Sequence, residues 1–185
     1  TQDEFPPSTY EIADIIINKV NESVKKYNIP EPYIFLEPGR SIISTSGVTL
    51  YTVGSSKQVP KGKKYVSVDG GMADNPRPSL YEAVYYAQVA NKKDEVEDET
   101  VTICGRYCES GDILIKDINM PKLDEGDILC VYNTGAYNYS MASNYNRVQR
   151  PAMILVNEGK SDIIVERETL EDLVAKDIIP DKIGR

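Results

Sequence analysis

The stretch Cys104-Gly-Arg-Tyr-Cys-Glu-Ser-Gly-Asp112 sets a thiol, Cys108, beside a carboxylate, Glu109, with a glycine on either side. A loop built this way can hold a reactive thiol and carboxylate in place. Gly105 and Gly111 permit backbone angles closed to other residues, which lets the pair turn toward a ligand instead of packing into a sheet. A free cysteine in an ordinary hairpin is the plainer reading, because most free cysteines are inert packing residues. Three further stretches carry chemistry. Glu37-Pro-Gly-Arg40 follows an apolar run and joins a carboxylate to a guanidinium. Asn75-Pro-Arg-Pro78 stiffens Arg77 between two prolines, which lowers the entropy lost in fixing a guanidinium on a carboxylate. Asn133 to Asn146 is polar, rich in tyrosine and poor in charge, and suits either a packed tyrosine corner or a ligand platform of phenols and backbone amides.

Composition narrows the chemistry. The chain has 185 residues, 21 Lys plus Arg against 29 Asp plus Glu, and a formal charge of -8, with no basic cluster. Nucleic acids and anionic membranes select for Lys and Arg patches, so neither is expected as a partner, and a small polar substrate is. No apolar run approaches the roughly 18 residues of a membrane span. The three cysteines are odd in number and lack the spacing of a disulfide framework, which points to a reducing compartment, with the cytoplasm as the default. With no histidine and no Cys-x-x-Cys pair, zinc lacks its usual ligands and a Ser-His-Asp or Cys-His centre cannot be built from this chain. Proton chemistry must run on Cys, Tyr, Lys or carboxylates. There is no charged-then-apolar leader, so secretion is not expected, and the chain opens on Thr1 in place of Met, which suggests that something upstream has been removed.

Several elements must hold these residues. Ser8-Thr-Tyr-Glu11 has capping-box order, and Ile12, Ile15, Ile16, Val20 and Val24 recur at helical spacing, predicting a helix from Glu11 to Tyr27. Its apolar stripe is expected to be covered. Tyr33 to Leu36 is read as a short buried strand delivering Glu37 and Arg40 at its carboxyl end, the ligand-binding end in α/β folds. Further strands are expected at Ile42 to Val53, Tyr65 to Val68, Val84 to Ala90, Thr100 to Ile103, Ile113 to Ile118, Asp127 to Tyr132, Pro151 to Val156 and Ser161 to Val165, with a terminal helix from Glu168 to Lys176. The fold class is mainly β.

Taken together, Glu37-Pro-Gly-Arg40, Asp69-Gly-Gly-Met-x-x-x-x-Arg77-Pro-x-x-Tyr81, Cys108-Glu-Ser-Gly-Asp112 and Gly135-Ala-Tyr137 through Met141-Ala-Ser-Asn-Tyr-Asn146 resemble diaminopimelate decarboxylases. These are fold-type III, alanine-racemase-like enzymes that use pyridoxal 5'-phosphate. The resemblance covers only the carboxyl part of such an enzyme. It implies that residues 1-40 are the last helix and strand of a truncated (β/α)8 cofactor-binding barrel, and that residues 41-185 form the carboxyl-terminal β-barrel or β-sandwich domain, which binds substrate and dimerises. The Schiff-base lysine, a stacking histidine and a glycine-rich phosphate loop belong to the missing amino-terminal barrel.

The resemblance also implies roles. Glu37 would pair with the cofactor's pyridine nitrogen. Gly39, Arg40 and Tyr137 would sit at its phosphate, with Arg40 and Tyr137 also near the substrate. Arg77 and Tyr81 would hold the distal carboxylate, Glu109 the distal ammonium, and Cys108 would donate a proton, the last two across a homodimer interface. The family usually has Gly-Pro before the Cys-Glu pair, where this chain has Gly105-Arg106-Tyr107. Ornithine-type relatives commonly carry Asp where Glu109 stands. The expected reaction is conversion of meso-2,6-diaminoheptanedioate to L-lysine and CO2; a relative acting on carboxynorspermidine or ornithine, and a dimerisation module without chemistry, are the other readings.

Overall fold

The computed structural model describes residues 7-181 and 183, and the chain divides into two compact units, Thr1–Pro38 and Gly39–Arg185. The first unit is dominated by helix α1, Thr9–Tyr27. Ser8 caps it as expected: its hydroxyl accepts from the Glu11 N–H at 3.2 Å, and the Glu11 carboxylate accepts from the Ser8 N–H at 2.7 Å. Asn28, in the left-handed region at φ 49°, ends the helix. Tyr33 to Leu36 is not a strand. A strand exists only against a hydrogen-bonding neighbour, and among the described residues no backbone group pairs with this run, which leaves Tyr33 and Phe35 exposed. No helix among the described residues is long and apolar enough to cross a membrane.

The second unit is mainly β, as the sequence predicts. After a short helix α2, Arg40–Ile43, and a 3-10 turn, Ser44–Ser46, come β1 (Thr49–Gln58), β2 (Lys64–Val68), α3 (Arg77–Tyr81), β3 (Ala87–Val89), β4 (Glu99–Cys104), β5 (Ile113–Met120) and β6 (Ile128–Val131). Then follow α4 (Asn138–Met141), the hairpin β7 (Met153–Asn157) with β8 (Lys160–Val165), and α5 (Leu170–Val174). The expected strand at Ile42 to Val53 therefore starts late. Its first residues turn as helix because the Ser44 carbonyl is needed as an acceptor for the Gly135 N–H, a tertiary bond that overrides the β propensity of Ile42 and Ile43.

The main sheet has the order β3-β6-β1-β2-β4-β5. β1 is its hinge: Thr49 to Thr52 pair with β6, whereas Val53 to Gln58 pair with β2 across an irregular register. Alternate residues Tyr51 and Val53, Val66 and Val68, Val101 and Ile103, and Leu129 and Val131 are buried together, the period of two that a pleated strand imposes. Each such side chain contributes about 1.5–3 kcal/mol on burial. Direction then decides where the loops go. β1 is antiparallel to β2 and β6, and β4 is parallel to β2. The segment before β1 and the segments after β2, β4 and β6 must therefore leave the sheet at one edge, and these hold Arg40, Arg77, Cys108 and Tyr137.

Candidate active site

Two glycines let the first and last of these segments meet. The Gly135 N–H donates to the Ser44 carbonyl at 3.1 Å and the Thr134 N–H to the Gly47 carbonyl at 3.0 Å, with the two hydroxyls of Thr49 and Thr134 bonded at 2.9 Å. A side chain on Gly47 or Gly135 would overlap the facing backbone. Docked this way, α2 places the Arg40 guanidinium carbon 5.7 Å from the centroid of the Tyr137 ring. A Cβ on Gly39 would strike the Tyr137 hydroxyl, so Gly39 lies directly against it. Tyr137 reaches this position with φ 69°, a left-handed backbone that costs a non-glycine residue energy and is found at functional sites more than elsewhere.

Arg77 closes the cluster from the segment after β2. Its guanidinium carbon lies 5.1 Å from the Tyr81 ring centroid and 6.0 Å from that of Tyr137, so two cations flank one phenol ring. The Ser143 N–H donates to the Ala73 carbonyl at 2.8 Å, tying the tyrosine-rich loop to the loop that carries Arg77. Behind them Asn75 and Asn138 are buried at 1% and 4% exposure. With its amide nitrogen toward the Ala136 and Thr134 carbonyls, at 3.1 and 3.3 Å, Asn138 lies against the side chain of Asn75.

Arg40 Nη2 and Arg77 Nε are buried with no hydrogen-bond partner, and neither guanidinium has a carboxylate in salt-bridge range among the described residues. Both side chains are half-buried, and a buried N–H without a partner is costly; an anionic oxygen is the group that satisfies it. The residues present thus fit an anionic ligand such as a phosphate or carboxylate.

The Cys108 loop joins the same edge through a different set of bonds. The Asp112 carboxylate, 3% exposed, accepts the Met72 N–H on one oxygen and the Tyr107 N–H on the other, each at 2.7 Å. The Arg106 N–H donates to the Gly70 carbonyl at 3.0 Å, and the Ser79 hydroxyl of α3 to the Gly111 carbonyl at 2.6 Å. A proline after Gly105, which the resemblance leads one to expect, would have no N–H to give this bond. Cys108 is exposed and free. Glu109 is exposed, with the Ser110 hydroxyl at 3.3 Å and the Tyr145 hydroxyl at 3.5 Å, while the Tyr145 ring packs edge-on against Tyr107 at 5.8 Å.

Of the residues picked from sequence, then, Gly39, Arg40, Arg77, Tyr81 and Tyr137 form one contact cluster. Cys108 and Glu109 sit on a loop braced to the α3 segment of that cluster, and among the described residues no hydrogen bond or ion pair joins them to its side chains. Glu37 is an exposed residue of the other compact unit.

Sequence reasoning missed Asp74 and the bracing role of Asp112. Asp74 accepts the Gly71 N–H at 2.7 Å and the Tyr51 hydroxyl. Burial lifts its pKa to about 6, with Asp112 adding to the rise and the bonds from Tyr51, Gly71 and its own N–H opposing it. Burial likewise raises Asp112, against the pull of the Tyr107 and Met72 N–H groups, and pushes the Tyr107 phenol up to about 12. No sequence signal marks either role, because their partners are backbone amides and a phenol that the fold brings near.

The mainly β unit that carries this cluster has known relatives. The chain belongs to the pyridoxal-dependent decarboxylases: residues 7–135 match that family's C-terminal sheet domain. Among its relatives it is 51% identical to diaminopimelate decarboxylase of Bacillus subtilis (strain 168), over 100% of this chain and 42% of the relative, and 48% identical to that of Synechocystis sp. (strain ATCC 27184 / PCC 6803 / Kazusa), over 99% and 39%. A crystal structure of diaminopimelate decarboxylase from M. jannaschii, in co-complex with L-lysine, superposes with a TM-score of 0.84 at 39% identity, covering 98% of this chain and 41% of that one. The chain therefore corresponds to the carboxyl-terminal portion of these enzymes and spans about two fifths of their length.

Proposed function

We propose that this chain is the substrate-reading and dimerising portion of a pyridoxal-phosphate-dependent decarboxylase that converts meso-2,6-diaminoheptanedioate to L-lysine and CO2. The observation that carries the reading is the pair of buried, unpaired guanidinium nitrogens on Arg40 and Arg77, flanking Tyr137. Residues 1-40 are taken as the end of a (β/α)8 barrel whose remainder, with the Schiff-base lysine, lies outside this chain, and the working unit as a homodimer.

The cofactor, when bound, accepts the electron pair that departing CO2 leaves behind. Glu37 would accept a hydrogen bond from its ring nitrogen and keep that nitrogen protonated. Gly39 offers a surface without a side chain, Arg40 a cation and Tyr137 a hydroxyl to the phosphate, with Arg40 and Tyr137 extending to the substrate. The fork of Arg77, with Tyr81 beside it, suits the distal carboxylate, and Glu109 the distal ammonium; a distal zwitterion needs both signs of charge. Cys108 would give its thiol proton to the carbon that lost the carboxylate, which balances the reaction as one C–C bond broken and one C–H bond made.

The test completes the chain with the amino-terminal three fifths of the Bacillus subtilis relative and measures release of CO2 and lysine. Cys108→Ala is expected to lower kcat by about 10²–10⁴-fold, the usual range for a general acid. Arg77→Ala is expected to abolish the preference for diaminopimelate over substrates without a distal carboxylate. Full turnover without Cys108 would leave a dimerising module as the better description, and an unchanged preference without Arg77 would remove the assigned substrate.

A further inference from the structure

The Asp69-Gly-Gly-Met72 turn is threaded between two carboxylates. Asp74 accepts the Gly71 N–H on one side, and Asp112 accepts the Met72 N–H on the other, both at 2.7 Å. The glycines are what allow it. A Cβ on Gly70 would strike the Tyr51 ring, one on Gly71 would overlap the Asp112 carboxylate, and Gly71 has φ 154°. Gly105, at the start of the cysteine loop, also packs on Asp112, and a Cβ there would overlap the same carboxylate.

Asp112 also closes its own loop. Its second oxygen accepts the Tyr107 N–H, and its carbonyl accepts the Gly105 N–H at 3.0 Å. One side chain thus satisfies backbone donors on either side of a gap of 35 residues, from Met72 to Tyr107. The next residues along each chain are chemically active: Arg77 five beyond Met72, and Cys108 and Glu109 one and two beyond Tyr107.

From this we infer that Asp112 is a positioning residue: its carboxylate, gripping the Met72 and Tyr107 amides, fixes the Cys108–Glu109 loop in register with the loop that carries Arg77. Its catalytic consequence rests on the proposed decarboxylase reading; the grip itself does not. Asparagine in its place keeps the shape but offers one oxygen for two N–H donors, so one amide must face an NH2 group and lose its bond.

The 185-residue chain tests the grip directly. In wild type the Met72 and Tyr107 amides are expected to exchange with deuterium at least ~100-fold slower than in an unstructured peptide. In Asp112→Asn one of them is expected to speed up at least ~10-fold, while the sheet amides of Val53 and Ala90, bonded to the Asp127 and Ile128 carbonyls, stay unchanged. Unprotected amides in wild type overturn the inference without any variant, and so does unchanged exchange in a folded Asp112→Asn.

A double-mutant cycle in the completed enzyme reads the catalytic consequence. If Asp112 acts through the Cys108 loop, Asp112→Asn costs at least ~10-fold in kcat alone but less than ~3-fold in a Cys108→Ala background. Full additivity would mean a merely structural role and sink the positioning claim. An inactive wild-type chimera would count against the decarboxylase reading while leaving the exchange result intact.

Discussion

Replacing Gly135 with alanine strikes the joint that brings Arg40 to Tyr137. The added methyl would overlap the Ile43 carbonyl oxygen and lie 2.9 Å from the Gly47 nitrogen and 3.1 Å from the Ser44 carbonyl oxygen. All three are backbone atoms, so relief requires α2 and its following turn to back away. That motion breaks the Gly135–Ser44 and Thr134–Gly47 bonds. At about 0.5–1.5 kcal/mol net for each, the loss is about 1–3 kcal/mol. With a urea slope of about 1–3 kcal/mol per molar, the unfolding midpoint should fall by roughly 1 M. Gly111→Ala is the control: a Cβ there meets nothing within 4 Å and φ is not positive, so its midpoint should hold or rise slightly. Urea titration followed by far-ultraviolet circular dichroism measures both. If Gly135→Ala unfolds at the wild-type midpoint, the backbones do not approach as described, and the account of how Arg40 is held is wrong.

Two other outcomes follow from exposure and charge. Cys108 is exposed, whereas Cys104 is partly buried with its thiol 3.4 Å from the Val66 carbonyl, and burial raises the pKa of both Cys104 and Cys130. Iodoacetamide at neutral pH should therefore label Cys108 at least ~10-fold faster than the other two, read by peptide mass spectrometry; equal rates would contradict the placement of the loop. Glu168 takes bonds from the Arg150 side chain and N–H and from Asn144, and the first of these does most to bring its pKa down to about 2. A depressed carboxylate stabilises the fold above its unfolded pKa near 4.5, and that contribution drains away as pH falls from there toward about 2. Wild type should lose thermal stability across this window, and Glu168→Gln should lose less; parallel curves would refute the linkage.

The parts of the fold that were legible in sequence are those set by local chemistry. The capping box at Ser8 and Glu11, the alternation in Tyr65 to Val68, and the paired runs around Asn157-Glu-Gly-Lys160 each carry their own signal, and each formed. Tyr33 to Leu36 failed because a short apolar run is strand only when another strand lies beside it. Ile42 and Ile43 failed because Ser44 is held by Gly135, some ninety positions away. The same division runs through the candidate site. Arg40, Arg77, Cys108 and Tyr137 stand out by side-chain chemistry and by the glycines and prolines around them. Asp74 and Asp112 do not, because their partners are backbone amides and a phenol that become neighbours only after the sheet has formed.

The sheet direction that makes them neighbours is the parallel pairing of β2 with β4, in the register Ser67 with Cys104. Had β4 run antiparallel to β2, the loop bearing Cys108 would leave from the opposite edge, some five residues or roughly 17 Å from the loop bearing Arg77. Parallel pairing instead starts both loops at one level, and the bond from the Arg106 N–H to the Gly70 carbonyl is the first rung beyond the strands. A parallel connection needs a long crossover, and the chain between Val68 and Glu99 supplies it through α3 and β3. The crossover therefore does two jobs with one stretch of chain: it reverses the path so that β4 can run beside β2, and it carries Arg77 and Tyr81 at its start, where the carboxyl ends of both strands face them. Shortening the charged turn from Asn91 to Asp98 would strain that return without touching any candidate site residue.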